Sequence, residues 1–171
     1  MGLNASLSPP APLADDHELD TFASGETSLD EWLRRRARAN QSSGASRTYV
    51  ACESNKVVAY YALASGAITQ AATPGRFRRN MPDPIPVAVL GRLAVDRRLQ
   101  GRGLGRALFR DAALRVSVAA DCIGIRGILV HAISEEAHRF YVAIGFDPCP
   151  NDAGTLVVTL ADARAALGLK D

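Results

Sequence analysis

The sequence predicts an α/β fold: one domain over residues 1–171, with a mixed central sheet flanked by helices. Three observations lead there. Apolar stretches of strand character alternate along the chain with stretches of helical period. A glycine turn, "QGRGLG", stands between a strand candidate and a helix candidate. The length of 171 residues suits one sizeable core, and 47% apolar against 22% charged residues is an ordinary globular balance.

The Pro-rich opening, through Pro12, reads as an extended arm. "SLDEWLRRRARANQ" then predicts one helix, with Ser28 and Glu31 at capping-box spacing and an apolar stripe of Leu29, Trp32, Leu33 and Ala37. Asp30 with Arg34, and Glu31 with Arg35, have the favourable i,i+4 order, and Arg34 to Arg36 form the wet face. "RTYVACE" and "KVVAYYALASGAI" predict a hairpin turning at Ser54-Asn55. "QAATPGRFRRNMPDPIP" is a loop carrying four prolines and three arginines. "VAVLGRLAVD" is the next strand, with Gly91 as a bulge candidate.

From Gly105 a helix places Leu108, Ala112 and Val116 on one face. "RGILVHAIS" is apolar enough to lie centrally in the sheet. "EEAHRFYVAIG" predicts a helix with Ala137, Phe140, Tyr141 and Ile144 on one face, ended by Gly145. "GTLVVTLAD" closes the sheet, and an Ala-rich helical tail follows.

Composition narrows the function classes. No apolar run is long enough to span a bilayer, and the N-terminus carries neither a basic start nor an apolar core, so a cytoplasmic protein is expected. Cys52, Cys122 and Cys149 are odd in number and scattered, as reduced thiols are. His131 and His138 lack metal-ligand spacing, so no metal is expected. The net charge is +2, yet ten arginines fall between Arg76 and Arg115 against Asp83, Asp96 and Asp111. Guanidinium groups bind phosphates in forked geometry, which points to a polyanionic partner or a phosphorylated cofactor.

The glycine turn has a chemical reading. The first N–H groups of a helix lack internal partners and point outward with partial positive charge. Gly101, Gly103 and Gly105 remove the side chains that would keep a diphosphate away, and Arg98, Arg102 and Arg106 add charge at the rim. A mononucleotide P-loop needs GxxxxGK[ST], and a dinucleotide turn needs GxGxxG; this turn is GxGxG and has no lysine.

Gln100-Gly101-Arg102-Gly103-Leu104-Gly105 satisfies [RQ]-x-x-G-x-[GA], and "AHRFYVAIGF" follows later as a Y-x-x-x-G-F element. In these elements the chain resembles the GNAT superfamily of acetyl-CoA-dependent N-acetyltransferases. The resemblance implies a GNAT-like fold with acetyl-CoA as co-substrate. It implies that the backbone of Leu93, Ala94 and Val95 pairs with the pantetheine arm and polarises the acetyl carbonyl, and that Gln100, Gly101, Arg102, Gly103, Leu104 and Gly105, with Arg98 and Arg106 beside them, hold the pyrophosphate. It also implies that Tyr141 is the general acid.

"FASGETSLDEWLRRRARANQ", "SRTYV", "VVAYYALASGAI" and "MPDPIPVAVLGRLAVD" extend the likeness over nearly the whole chain. There it resembles toxin acetyltransferases of type II toxin–antitoxin modules, which acetylate the α-amino group of aminoacyl-tRNA. Members often carry cysteine before the first glycine, where Ser24 stands here. A ribbon-helix-helix antitoxin encoded nearby and a homodimer are further implications.

The chemistry permits that acceptor. An α-amine has a pKa of about 7.7–8, against about 10.4 for lysine, so it is appreciably neutral at physiological pH without a strong enzyme base. Glu135 and Glu136 sit at a helix start, where the dipole accounts for them. Arg76, Arg78 and Arg79 on the Pro-rich loop, with Arg92 before the pantetheine strand, are the candidate tRNA contacts. Two rivals stand beside this reading: an enzyme acetylating a protein N-terminus, lysine or small amine, and a non-catalytic module binding coenzyme A or nucleic acid.

Overall fold

A computed structural model of the chain describes residues 7–169. Among the described residues seven strands, numbered in chain order, form a mixed sheet in the spatial order 1-2-3-4-5-7-6, joined by six α-helices. The chain divides into two compact units: one reaches to Ala64 and takes in Gly91–Asp111, the other holds Ser65–Leu90 and everything from Ala112 onward.

In the first unit β1 (Ala11–Pro12) pairs antiparallel with β2 (Arg47–Glu53), which turns into β3 (Lys56–Ile68). Ser54 and Asn55 both have positive φ, 54° and 101°, the conformation of a two-residue hairpin turn, and Glu53 faces Lys56 across it. The expected single helix is two, α1 (Thr27–Arg35) and α2 (Ala37–Ser43), because Arg36 leaves helical geometry at φ −120°.

The capping box does not form either. α1 starts from Glu26 with no side-chain cap, and Asp30 turns inward, its Oδ1 accepting from Ser24 N at 3.0 Å and Ser24 Oγ at 2.7 Å. Arg34 therefore donates to the Phe22 carbonyl instead of pairing with Asp30. Glu31 and Arg35 form no ion pair among the described residues. The apolar stripe does what its spacing predicts: Leu29, Leu33 and Ala37 are buried with Phe22, Val50, Tyr60 and Ala94, and Trp32 packs against them half-buried.

In the second unit the first part of β4 (Ile85–Val95) runs parallel to β5 (Gly127–His131), from Val87↔Gly127 to Leu90↔Val130. β7 (Asp152–Thr159) lies antiparallel on the far side of β5, so β5 is central as its unbroken apolar run predicts. β7 does not close the sheet: a short strand, β6 (Asp147–Cys149), covers it. Gly127 cannot be otherwise, since a Cβ there would lie 2.0 Å from the Val158 carbonyl oxygen. The Pro-rich loop hides a helical turn, α3 (Gly75–Arg78), whose Phe77 is buried with Ile85, Val87, Leu129 and Val157. α4 (Leu104–Ala120), α5 (Glu135–Ala143) and α6 (Leu160–Ala166) complete the helices. None in the described chain is long and apolar enough to cross a membrane.

Candidate functional site

The ladder between β4 and β5 stops at Leu90, while β4 continues through Gly91 to Val95. Ala94 points into the first unit's core, which fixes the alternation and puts Arg92 on the same face. At the strand end Asp96 is buried, and its amide donates to the Val58 carbonyl. Its carboxylate accepts from Arg98 N at 3.1 Å, Arg98 Nε at 3.0 Å and Ala23 N at 3.2 Å. Burial pushes the Asp96 pKa up, but these hydrogen bonds and the Arg98 charge outweigh it and hold the group below its ordinary value.

Gln100 reaches back in the same manner, its Nε2 donating to the carbonyls of Ser24 at 2.7 Å and Val95 at 2.8 Å. Two side chains expected at the cofactor, those of Arg98 and Gln100, are thus bonded within the protein. They shape the turn that follows.

That turn has the geometry its glycines predict. Gly101 and Gly103 have φ of +78° and +82°, where an L side chain costs about 1–2 kcal/mol, and no atom lies within 4 Å of a Cβ built on either. The Ala107 amide is bonded to the Gly103 carbonyl at 3.1 Å. Ahead of it, the amides of Gly103, Leu104 and Gly105 have no hydrogen-bond partner among the described residues. Arg102 and Arg106 are exposed on either side. Open space, orphaned donors, the start of a 17-residue helix and flanking cations fit a diphosphate.

The second unit carries Tyr141 on α5, which starts at Ser134, whose side chain caps the Ala137 amide at 3.1 Å. Its ring packs edge-on against Phe140 and Phe146, with centroids 5.2 and 5.3 Å away. Burial pushes the phenol pKa well above the ordinary tyrosine value. Two other buried tyrosines give a contrast. Tyr60 donates its hydroxyl proton to the Leu29 carbonyl at 2.7 Å, and Tyr61 donates to Asp111. The Tyr141 hydroxyl has no hydrogen-bond partner among the described residues, although a packing tyrosine ordinarily finds one. The phenol therefore stays protonated and keeps its donor unspent.

The expected tRNA contacts divide. Arg76 grips Asp162 with two hydrogen bonds, 2.8 and 2.6 Å, and Arg78 donates to the Thr73 carbonyl at 2.8 Å. Arg79 is exposed and has no partner among the described residues. Arg126, which the sequence did not single out, anchors this loop by donating to the carbonyls of Phe77 and Arg76. Arg92 lies over the Trp32 ring, 5.2 Å from its centroid. Trp32, Ser24 and Asp96 are the site residues that sequence reasoning passed over, since each acts through a partner distant in sequence or through a backbone atom. His131 Nδ1 lies 3.0 Å from Thr155 Oγ1, which donates to Asp152 at 2.7 Å. No group of His, Cys, Asp and Glu among the described residues is arranged to hold a metal ion.

Residues 44–148 match the family model of the acetyltransferase (GNAT) domain. A tRNA-acetylating toxin of Mycobacterium tuberculosis is 53% identical over 164 residues, covering 96% of this chain and 99% of that protein. Among solved structures, AtaT complexed with acetyl-methionyl-tRNAfMet superposes with a TM-score of 0.85 at 31% identity, over 93% of this chain and 98% of that one. A mutant AtaT toxin bound to the C-terminus of the antitoxin AtaR and acetyl-CoA superposes with a TM-score of 0.81 at 30% identity, over 94% of this chain and 97% of that one.

Proposed function

The chain belongs to the GNAT acetyltransferase family and is an acetyl-CoA-dependent N-acetyltransferase; from that premise we propose that its acceptor is the α-amino group of aminoacyl-tRNA and that it acts as a toxin by blocking translation. The observation that carries this reading is the 53% identity, over nearly the full length of both chains, to a tRNA-acetylating toxin.

The acceptor suits the residues present. When bound, acetyl-CoA supplies an acetyl group activated as a thioester. In the proposed division of labour, the amides of Gly101, Gly103, Leu104 and Gly105 bind its pyrophosphate, Arg102 and Arg106 balance the charge, and Arg98, paired with Asp96, helps to fix the turn. Gln100 holds the turn in shape. The backbone of Leu93, Ala94 and Val95 pairs with the pantetheine arm as an added strand would. Tyr141 Oη holds the proton that the leaving sulfur requires. The α-amine loses its own proton at about pH 7.7–8, so no enzyme carboxylate is needed to strip it. Arg79 leads the phosphate contacts, with Arg76, Arg78 and Arg92 in support.

A cytoplasmic setting follows from a tRNA substrate. A ribbon-helix-helix antitoxin and a homodimeric state complete the proposal. The test is to incubate the protein with labelled acetyl-CoA and, separately, total charged tRNA, deacylated tRNA, spermidine and a peptide with a free N-terminus. Label is expected in charged tRNA alone. Label in spermidine or the peptide, with none in tRNA, would replace this reading with that of a small-amine or protein acetyltransferase.

A further inference from the structure

Several arginines are tied to an acid or a carbonyl alone, but Arg92 is also seated over an aromatic ring. Its guanidinium lies over Trp32 at 5.2 Å, and its Nη1 donates to the neighbouring Gly91 carbonyl at 2.8 Å. No carboxylate among the described residues pairs with it. Trp32 in turn lies parallel to Tyr60, at 6.0 Å and 6° between planes. Tyr60 is fully buried, tied by its hydroxyl to Leu29 and braced edge-on by Phe22 at 5.5 Å. Tyr60, Trp32 and Arg92 thus form one cluster, with Tyr60 in the core and Trp32 and Arg92 half-buried.

A ring holds a guanidinium in place without cancelling its charge or using up its donors. A carboxylate would do both. An arginine held this way keeps its charge and its remaining donors for a ligand, and a flat guanidinium suits the edge of a nucleobase. The position is apt, one residue before Leu93, where the pantetheine-pairing segment is proposed to begin.

We propose that the Trp32–Arg92 stack receives the terminal nucleobase of the tRNA acceptor end, with Trp32 as the positioning residue that holds the guanidinium. This rests on aminoacyl-tRNA being the acceptor. Trp32 is the one tryptophan of the chain, so its fluorescence reports on the stack directly.

The experiment titrates deacylated tRNA, intact or lacking its 3′-terminal adenosine, into the wild type while reading that fluorescence. Intact tRNA changes the emission and truncated tRNA does not; equal responses to both would overturn the assignment. In kinetics, Arg92→Lys keeps the charge but loses the plane. It should raise the apparent KM for charged tRNA about tenfold while leaving its salt dependence and the acetyl-CoA affinity as in the wild type. Trp32→Leu should do the same, and Trp32→Phe, which keeps a ring, should recover most of the loss. Wild-type KM in Arg92→Lys, or a loss in Trp32→Phe as large as in Trp32→Leu, would reject the platform. If the wild type acetylates no charged tRNA yet its fluorescence distinguishes the two tRNAs, the base platform stands and the acceptor assignment falls.

Discussion

The side-chain amide of Gln100 donates to the carbonyl oxygen of Ser24 at 2.7 Å, joining two residues 76 positions apart. Its second bond, to Val95, closes the base of the turn that begins at Gly101. One amide thus sets where the turn leaves the strand and where the Phe22–Glu26 segment rests against it. Gln100→Ala removes both bonds while leaving the backbone amides of the turn in place. Acetyl-CoA affinity should fall about fivefold to tenfold, as the loss of ordinary hydrogen bonds implies. Calorimetry is the measurement, and unchanged affinity would mean that the turn holds its shape unaided.

Tyr141→Phe keeps the ring contacts to Phe140 and Phe146 and removes the proton. Turnover should drop roughly 10²-fold or more with acetyl-CoA affinity preserved. The pH profile carries a second signature. Burial raises the phenol pKa, so the acid form persists through the alkaline range and no falling limb should appear below about pH 10. The rising limb belongs to the acceptor amine, centred near pH 8, and should be shared by wild type and variant. A falling limb near pH 8 in the wild type that vanishes in the variant would contradict this.

Asp96 links the strand end to Ala23 and Arg98, and its pKa lies below the ordinary value. A depressed acid stabilises the fold above its unfolded pKa of about 3.9, and loses that contribution as pH falls through the folded value. Asp96→Asn should therefore destabilise the protein by about 1.5–3 kcal/mol at pH 7, with the gap to the wild type narrowing below pH 4. Urea unfolding from pH 7 to pH 3 tests this. Equal midpoints at pH 7, or a gap that persists in acid, would count against it.

Among the loop arginines the partners predict a ranking. Arg79→Glu places a negative charge where nothing else in the described chain competes for the side chain, whereas Arg76 must first release Asp162. Arg79→Glu should raise the KM for charged tRNA more than Arg76→Ala and flatten the salt dependence of binding. Melting temperature should respond in the opposite order, since Arg76→Ala strands Asp162. Kinetics across a salt series and thermal melts check both orders.

Local signals in the sequence were legible where local physics decides the structure. The Ser54-Asn55 turn, the stripe of Leu29, Leu33 and Ala37, and the central position of β5 follow from residue type and spacing alone. The break at Arg36 did not, and neither did the loss of the Asp30–Arg34 pair, where Ser24 draws Asp30 inward and cancels the pairing its spacing favours. β6, three residues containing a proline, has too little pattern to read. For the candidate site, the glycine turn was readable because positive φ demands glycine. The inward duties of Gln100 and Asp96 were not, since most of their partners are backbone atoms that leave no trace in composition. The layering of Arg92 on Trp32 joins residues 60 positions apart and emerges only in three dimensions.

The central claim is acetylation of one nitrogen, and mass spectrometry reads it directly. Total charged tRNA is incubated with the protein and acetyl-CoA, digested with nuclease, and the 3′-terminal aminoacyl-adenosines are fragmented. The account predicts an added acetyl group on the α-amine of one or more aminoacyl-adenosines, absent when tRNA is deacylated beforehand and strongly reduced with Tyr141→Phe. Aminoacyl-adenosines left unmodified by a protein that binds acetyl-CoA, or acetyl groups found only on nucleobases or lysine side chains, would contradict it.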